Sequence, residues 1–253
     1  MDTIIDTKES TVNTQTDDGE MAVVITEPVK SPKGGEWPTV LWFIDLPGIR
    51  PATREAMARL ASSGYRVVTP DLHHRIGRLM FKEPSDLQDS EARQQMLGWR
   101  EAMTDDQIQH DGECALAAAG VHENTRFATI GFCLGARAVY RVIQNAAGRV
   151  VAGSCFHPSY LADDAPDSPH LSVTEYSTPM FLGIGEADQV QTMAMHQRFL
   201  DAVAPLSHVE VATFPGVDHG FTWPGYPNYD ENAAETSWSR TIELFARAFQ
   251  HGT

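Results

Sequence analysis

The run Ala128-Thr129-Ile130-Gly131-Phe132-Cys133-Leu134-Gly135-Ala136-Arg137 decides how this chain is read. An apolar stretch suited to a strand, residues 127–132, runs into Gly131-x-Cys133-x-Gly135, and a helical pattern starts at once over residues 136–145. A strand that turns straight into a helix at Gly-x-nucleophile-x-Gly is a nucleophile elbow, here with a thiol where a hydroxyl is commoner. The glycines have a steric reason. The nucleophile sits on a sharp turn in a strained backbone conformation, and neighbouring side chains would collide there. The turn lifts the sulfur above the sheet, and the helix N-terminus aims its free N–H groups and positive dipole end at it. Such a site favours negative charge on the sulfur and on the oxyanion of a tetrahedral intermediate.

Outward from the elbow, strands and helices alternate. Upstream, residues 11–16 and 21–26 flank Asp17-Asp18-Gly19, a hairpin turn signal. Residues 31–38, rich in Gly and Pro, read as a loop, and residues 40–44 and 66–69 as short apolar strands. Between those strands, residues 51–63 form a helical pattern with Met57, Leu60 and Ala61 on one face and Gly64 as its stop. Residues 74–103 read as an excursion of short helices, and 105–119 as a regular helix. Downstream, strands are expected over 150–156, 180–184 and 209–214, and helices over 193–204 and 232–249. In the last helix Trp238, Ile242, Phe245 and Phe249 form one apolar stripe. Short apolar strands alternating with amphipathic helices imply an α/β fold, a mostly parallel sheet with helices on both faces. With no repeat and no long linker, residues 1–253 are expected to be a single domain, with 1–10 a flexible N-terminal tail.

Composition narrows the partners. Hydrophobic residues at 42% and charged residues at 21% can fill a sizeable core. A formal net charge of -15 repels phosphate backbones and anionic lipid, so neither nucleic acid nor membrane is an expected partner. The 3 cysteines, Cys114, Cys133 and Cys155, include no CxxC pair that would suggest a zinc ribbon or a thioredoxin-type redox site. The polar, acidic N-terminus lacks the basic flank and apolar core of a signal peptide, and the expected location is cytoplasmic. A monomer or small homo-oligomer is expected.

A thiol nucleophile needs a base, and the base an orienter. The elbow predicts the chain order nucleophile, acid, histidine, the last two in loops after later strands. Gly185-Glu186-Ala187-Asp188 supplies the acid, with Asp188 preferred to Glu186 because it lies further into the loop. Pro215-Gly216-Val217-Asp218-His219-Gly220 supplies the histidine, with Gly220 relieving crowding beside His219. His73, His74 and His157 also follow strands and are set aside as decoys.

With these residues assembled, the sequence resembles the dienelactone hydrolase family of α/β-hydrolases from about residue 20 to residue 249. The resemblance rests on Asp45-Leu46-Pro47-Gly48, Pro70-Asp71-Leu72, Gly131-Phe132-Cys133-Leu134-Gly135, Gly185-Glu186-Ala187-Asp188 and Asp218-His219-Gly220-Phe221. Phe156-His157-Pro158-Ser159 is similar to the carboxymethylenebutenolidase-homologue branch. The resemblance implies the α/β-hydrolase fold, with Cys133 as nucleophile, His219 as base and Asp188 as acid. It implies an oxyanion hole made by the backbone N–H groups of Leu134 and Leu46. The family places a glutamate in the loop after the first core strand, hydrogen-bonded to the resting thiol and holding it quiet until substrate displaces it. This chain has Asp45 there, one methylene shorter, as the candidate for that thiol-gating role. Family members acting on dienelactone hold the substrate carboxylate with two arginines. Arg75 matches one position, but Trp223 occupies the other, and an indole cannot pair bidentately with a carboxylate. Trp223, with Tyr226, Tyr229 and Trp99, is instead a candidate lining for a more apolar or aromatic ester or lactone.

The expected reaction is cleavage of a small-molecule carboxylic ester or lactone by acyl transfer through Cys133, His219 and Asp188, with no metal or organic cofactor. Two rivals are a ligand-binding protein on a hydrolase scaffold without turnover, and a redox-sensing role for Cys133. The intact nucleophile, base and acid argue against the first, and the absence of an obvious resolving cysteine against the second.

Overall fold

A computed structural model describes residues 5–32, 35–75, 91, 94–95, 97–99, 103–146 and 148–250. Most of the 74–103 excursion lies outside the described residues, although residues 97–99 are helical. The chain divides into two compact units, Met1–Ala128 and Thr129–Thr253.

In the first unit, β1 (Thr7–Thr16) and β2 (Gly19–Pro28) pair antiparallel across the Asp17-Asp18 turn, with Thr16 opposite Gly19. The expected flexible tail over 1–10 does not hold for its last four residues. Thr7 to Ser10 are strand residues, because Pro28, Glu27, Thr26 and Ile25 extend the ladder to meet them. β3 (Thr39–Phe43) and β4 (Arg66–Pro70) run parallel, and β2 closes on β4 antiparallel. Every residue of β3 is buried, as expected of a strand covered on both faces. Helix α1 (Pro51–Ser62) starts with Pro51 where its missing N–H costs nothing, and it buries Met57, Leu60 and Ala61 as its spacing implies. Helix α2 (Asp105–Ala118) begins with a reciprocal cap between Thr104 and Gln107.

The second unit carries β5 (Phe127–Phe132, which straddles the boundary), β6 (Val150–Phe156), β7 (Met180–Gly185) and β8 (Val209–Phe214), neighbours in that order. β6, β7 and β8 are parallel. Helices α3 (Gly135–Asn145), α4 (Met193–Val203) and α5 (Glu231–Gln250) complete it. Successive residues of a strand point to opposite faces. A carbon added at Gly153 would meet Val139 and Ile143 of α3, whereas Ser154 bonds Thr241 of α5 at 2.6 Å. α3 and α5 therefore cover opposite faces of β6. The buried face of α5 is Ala233, Ala234, Ser237, Trp238, Thr241, Leu244 and Phe245, with Ile242 and Phe249 only half-buried. The apolar stripe is rotated because the small Ser237 and Thr241 let the helix approach the sheet. Among the described residues no helix is long and apolar enough to cross a membrane.

Candidate active site

Cys133 stands at the β5–α3 turn with φ +53°, a left-handed conformation rare outside glycine. The strain is held by the surrounding backbone. The Cys133 N–H donates to Phe156 O at 3.1 Å, and its carbonyl accepts from Ala136 N–H at 3.1 Å and Ser159 N–H at 2.9 Å. The strand passes so close to the helix start that a carbon added at Gly131 would lie 2.2 Å from the Gly135 oxygen. Leu134 immediately precedes α3, in the region where helical N–H groups have no intrahelical partner.

The acid and the histidine come together through their loops. A carbon added at Gly185 would fall 2.4 Å from Val217 O, and the Ala187 N–H donates to that same oxygen at 2.9 Å. Asp188 is buried, whereas Glu186 is exposed. Asp188 Oδ1 accepts the backbone N–H groups of Val190 and Gln191, each at 2.7 Å, and Oδ2 lies 2.6 Å from His219 Nδ1. The carboxylate thus assigns the proton to Nδ1. The His219 backbone is fixed by Asp218, whose Oδ1 accepts its N–H at 2.7 Å, and by Asn228, which donates to its carbonyl at 3.0 Å.

Burial opposes the charged form of the His219 imidazole. Negative charge on Cys133 and the Asp188 hydrogen bond outweigh it and raise the pKa to about 10. Nε2 is buried, and a side-chain hydrogen bond with Cys133 adds to the upward shift; Cys133 Sγ also lies 3.4 Å from Ser159 Oγ. His157, set aside as a decoy, is buried with its ring 4.9 Å from that of His219.

Trp223 is 3% exposed and packs 5.0 Å from the Phe132 ring, so it is part of the core rather than an open shelf. Tyr229 packs on the cluster around Phe214 and Phe221. In the first unit, Leu46 lies in a turn closed by Gly48 N–H to Asp45 O at 3.0 Å. Both oxygens of Asp45 are taken by Arg50, at 2.6 and 2.7 Å, and both side chains are buried. Arg75 is likewise committed, bidentate to Asp111 at 2.6 and 2.8 Å and to Asp18 at 2.6 Å. The ring of His73, two residues before it, lies 5.3 Å from that of Trp99 at a tilt of 50°. Of the residues singled out in the sequence, the second unit brings together Cys133, Asp188 and His219. Sequence reasoning passed over Ser159, Gln191, Asp218 and Asn228. Ser159 and Asp218 stood inside quoted motifs, but Gln191 and Asn228 carried no signal.

A nucleophile elbow on a mostly parallel sheet with helices on both faces defines an α/β-hydrolase. The dienelactone hydrolase family model matches residues 21–249, and the chain belongs to that family. It is accordingly a hydrolase of ester or lactone bonds. It is 27% identical over 238 residues to a carboxymethylenebutenolidase of Rhodococcus opacus, covering 87% of this chain and 84% of that one. A crystal structure from Klebsiella pneumoniae subsp. pneumoniae, provisionally assigned as a dienelactone hydrolase, superposes with a TM-score of 0.76 at 19% identity, covering 95% of this chain and 99% of the other. The Pyrococcus furiosus esterase Pf2001 follows the same fold with a TM-score of 0.61 at 18% identity, over 95% and 92% of the two chains.

Proposed function

We propose that the protein hydrolyses a small carboxylic ester or lactone by two-step acyl transfer, with Cys133 as nucleophile, His219 as acid and base, and Asp188 as its orienter. The observation that carries this reading is the 2.6 Å Asp188–His219 pair, set in the same unit as the strained Cys133 whose charge raises the imidazole. His219 Nε2 takes the Cys133 thiol proton, the sulfur attacks the carbonyl carbon, the π electrons move to oxygen, and the Leu134 N–H donates to the oxyanion. Collapse expels the leaving oxygen, which takes a proton from His219 Nε2. Water then attacks the thioester, its proton passes to Nε2, and the acid product leaves with the sulfur regenerated.

The substrate class follows from the groups that are not available. Arg75 is neutralised by Asp111 and Asp18, and Trp223 lies in the core, so neither serves as a carboxylate clamp. A neutral ester or lactone suits this chain better than a lactone bearing a free carboxylate. The test is hydrolysis of p-nitrophenyl acetate, p-nitrophenyl butyrate, an aromatic lactone and a dienelactone by wild type and Cys133→Ala. Loss of all turnover in the variant, and a preference for the neutral members, is expected. Full turnover by Cys133→Ala ends the mechanism, and preference for the dienelactone ends the substrate argument.

A further inference from the structure

The turn Phe156-His157-Pro158-Ser159 is bonded to the backbone of Cys133 on both sides of His157. Phe156 O accepts the Cys133 N–H at 3.1 Å, and Ser159 N–H donates to Cys133 O at 2.9 Å. His157 N–H donates across to Gly183 O of β7 at 2.8 Å. The residue holds φ +38°, which a non-glycine residue keeps only where its surroundings over-determine it. It is 1% exposed and stands among three rings, Phe132 at 6.0 Å, Phe221 at 5.4 Å and Trp223 at 6.3 Å. The fourth ring against it is that of His219, 4.9 Å away and steeply inclined at 67°. One buried imidazole thus spans from the backbone of the elbow to the ring of the base. The Asp188 bond fixes the His219 ring at Nδ1 only. A ring held at one atom can still swing about that bond, and Nε2 swings with it. A second surface against the ring removes that freedom.

We propose that His157 is a positioning residue: its ring, anchored through its backbone turn to Cys133, fixes the plane of the His219 imidazole so that Nε2 is held toward the sulfur. The inference rests on the reading of Cys133 as nucleophile and His219 as base. No proton and no covalent bond passes through His157. An inclined aromatic pair at this separation is worth more than its buried area, and its preferred geometry gives the contact a direction as well as a strength.

Steady-state kinetics of the full chain on p-nitrophenyl butyrate separate positioning from chemistry and from core filling. His157→Leu fills the space without a ring, and His157→Phe keeps a ring without its nitrogens. Neither is glycine, so the backbone strain is common to both. His157→Leu is expected to lower kcat about ten-fold, the upper end of what one inclined aromatic pair carries. KM should stay within about two-fold, since orientation of the base acts in the transition state. His157→Phe should recover kcat to within about three-fold of wild type. The proton between His219 Nδ1 and Asp188 gives a readout without substrate. Its low-field NMR resonance should broaden in His157→Leu and persist in His157→Phe. An unchanged kcat or a sharp resonance in His157→Leu overturns the inference. So does a change in KM that accounts for the loss, or a His157→Phe as slow as His157→Leu, which assigns the work to the ring nitrogens. Should His157→Leu fail to fold by circular dichroism, a folded His157→Phe about ten-fold below wild type still overturns it. Failure of the underlying reading shows separately, as hydrolysis retained by Cys133→Ala.

Discussion

Gly131→Ala perturbs the elbow at its tightest point. The added carbon would lie 2.2 Å from Gly135 O, 2.4 Å from Gly135 C and 2.8 Å from Ala136 N. All three atoms belong to the first peptide of α3, so no side chain can swing aside. Contacts under 3.0 Å are essentially never seen, and the strand and helix start must separate by about 0.8 Å. That peptide carries the Ala136 N–H bonded to the Cys133 carbonyl, so the displacement passes directly to Cys133. Overpacking of this kind costs about 1–3 kcal/mol of stability. A misplacement near 1 Å at a reacting atom costs roughly 100-fold in rate. Initial rates on p-nitrophenyl butyrate and a thermal melt measure both effects. Gly98→Ala is the control, since a carbon there meets nothing within 4 Å. A Gly131→Ala variant within about three-fold of wild-type turnover refutes the elbow as the rate-determining geometry.

Asp188→Asn keeps the shape of the acid but loses its charge, and turnover should fall by about 10²–10⁴, as for triads elsewhere; steady-state kinetics retaining more than a tenth of the wild-type rate counts against Asp188 as orienter. His219 has a folded pKa near 10, above the ordinary value of 6.5, so its contribution to stability is complete below pH 6.5 and lost as pH rises through about 10. Melting temperatures taken across that window should fall more steeply for wild type than for His219→Gln, and parallel curves contradict the assigned shift. Arg75→Ala leaves the fully buried Asp111 with His74 beside it and should cost about 3 kcal/mol in chemical denaturation. Its kcat/KM on neutral esters should stay near wild type, and a selective loss on the carboxylate-bearing dienelactone restores Arg75 as a substrate contact. Trp223→Arg places a charge among Phe132 and His157 and should unfold the protein at ordinary temperature rather than create carboxylate specificity, which circular dichroism will show.

The elements that define the fold were legible because their signals are local. Alternating apolar strands and helical periodicity located β3 to β8 and the regular helices, and the two glycines around Cys133 marked the elbow. The pairing of Asp188 with His219 was legible from chain order, since each follows a strand that ends in a glycine-containing turn. Ser159 was not, because it reaches Cys133 only through the side-by-side placement of β5 and β6, which sequence spacing does not encode. Gln191 links the acid loop to the Ser159 turn by the same kind of long-range placement. The substrate contacts misled for a related reason. Arg75 is available or committed according to whether Asp111, on a helix far along the chain, stands beside it. Trp223 sits in a glycine- and proline-rich segment that reads as surface loop, yet neighbouring aromatic rings draw it inside. The last helix shows how small polar residues can outrank apolar ones at a tight helix–sheet contact, because Ser237 and Thr241 permit the approach that Ile242 and Phe249 do not.

The most direct test is to quench a reaction with p-nitrophenyl acetate in its first turnovers and map the acylated peptide by mass spectrometry. The account predicts an acetyl group on Cys133, formed with a burst of nitrophenol and absent in Cys133→Ala. Acetylation of another residue, or the same burst from Cys133→Ala, would contradict it.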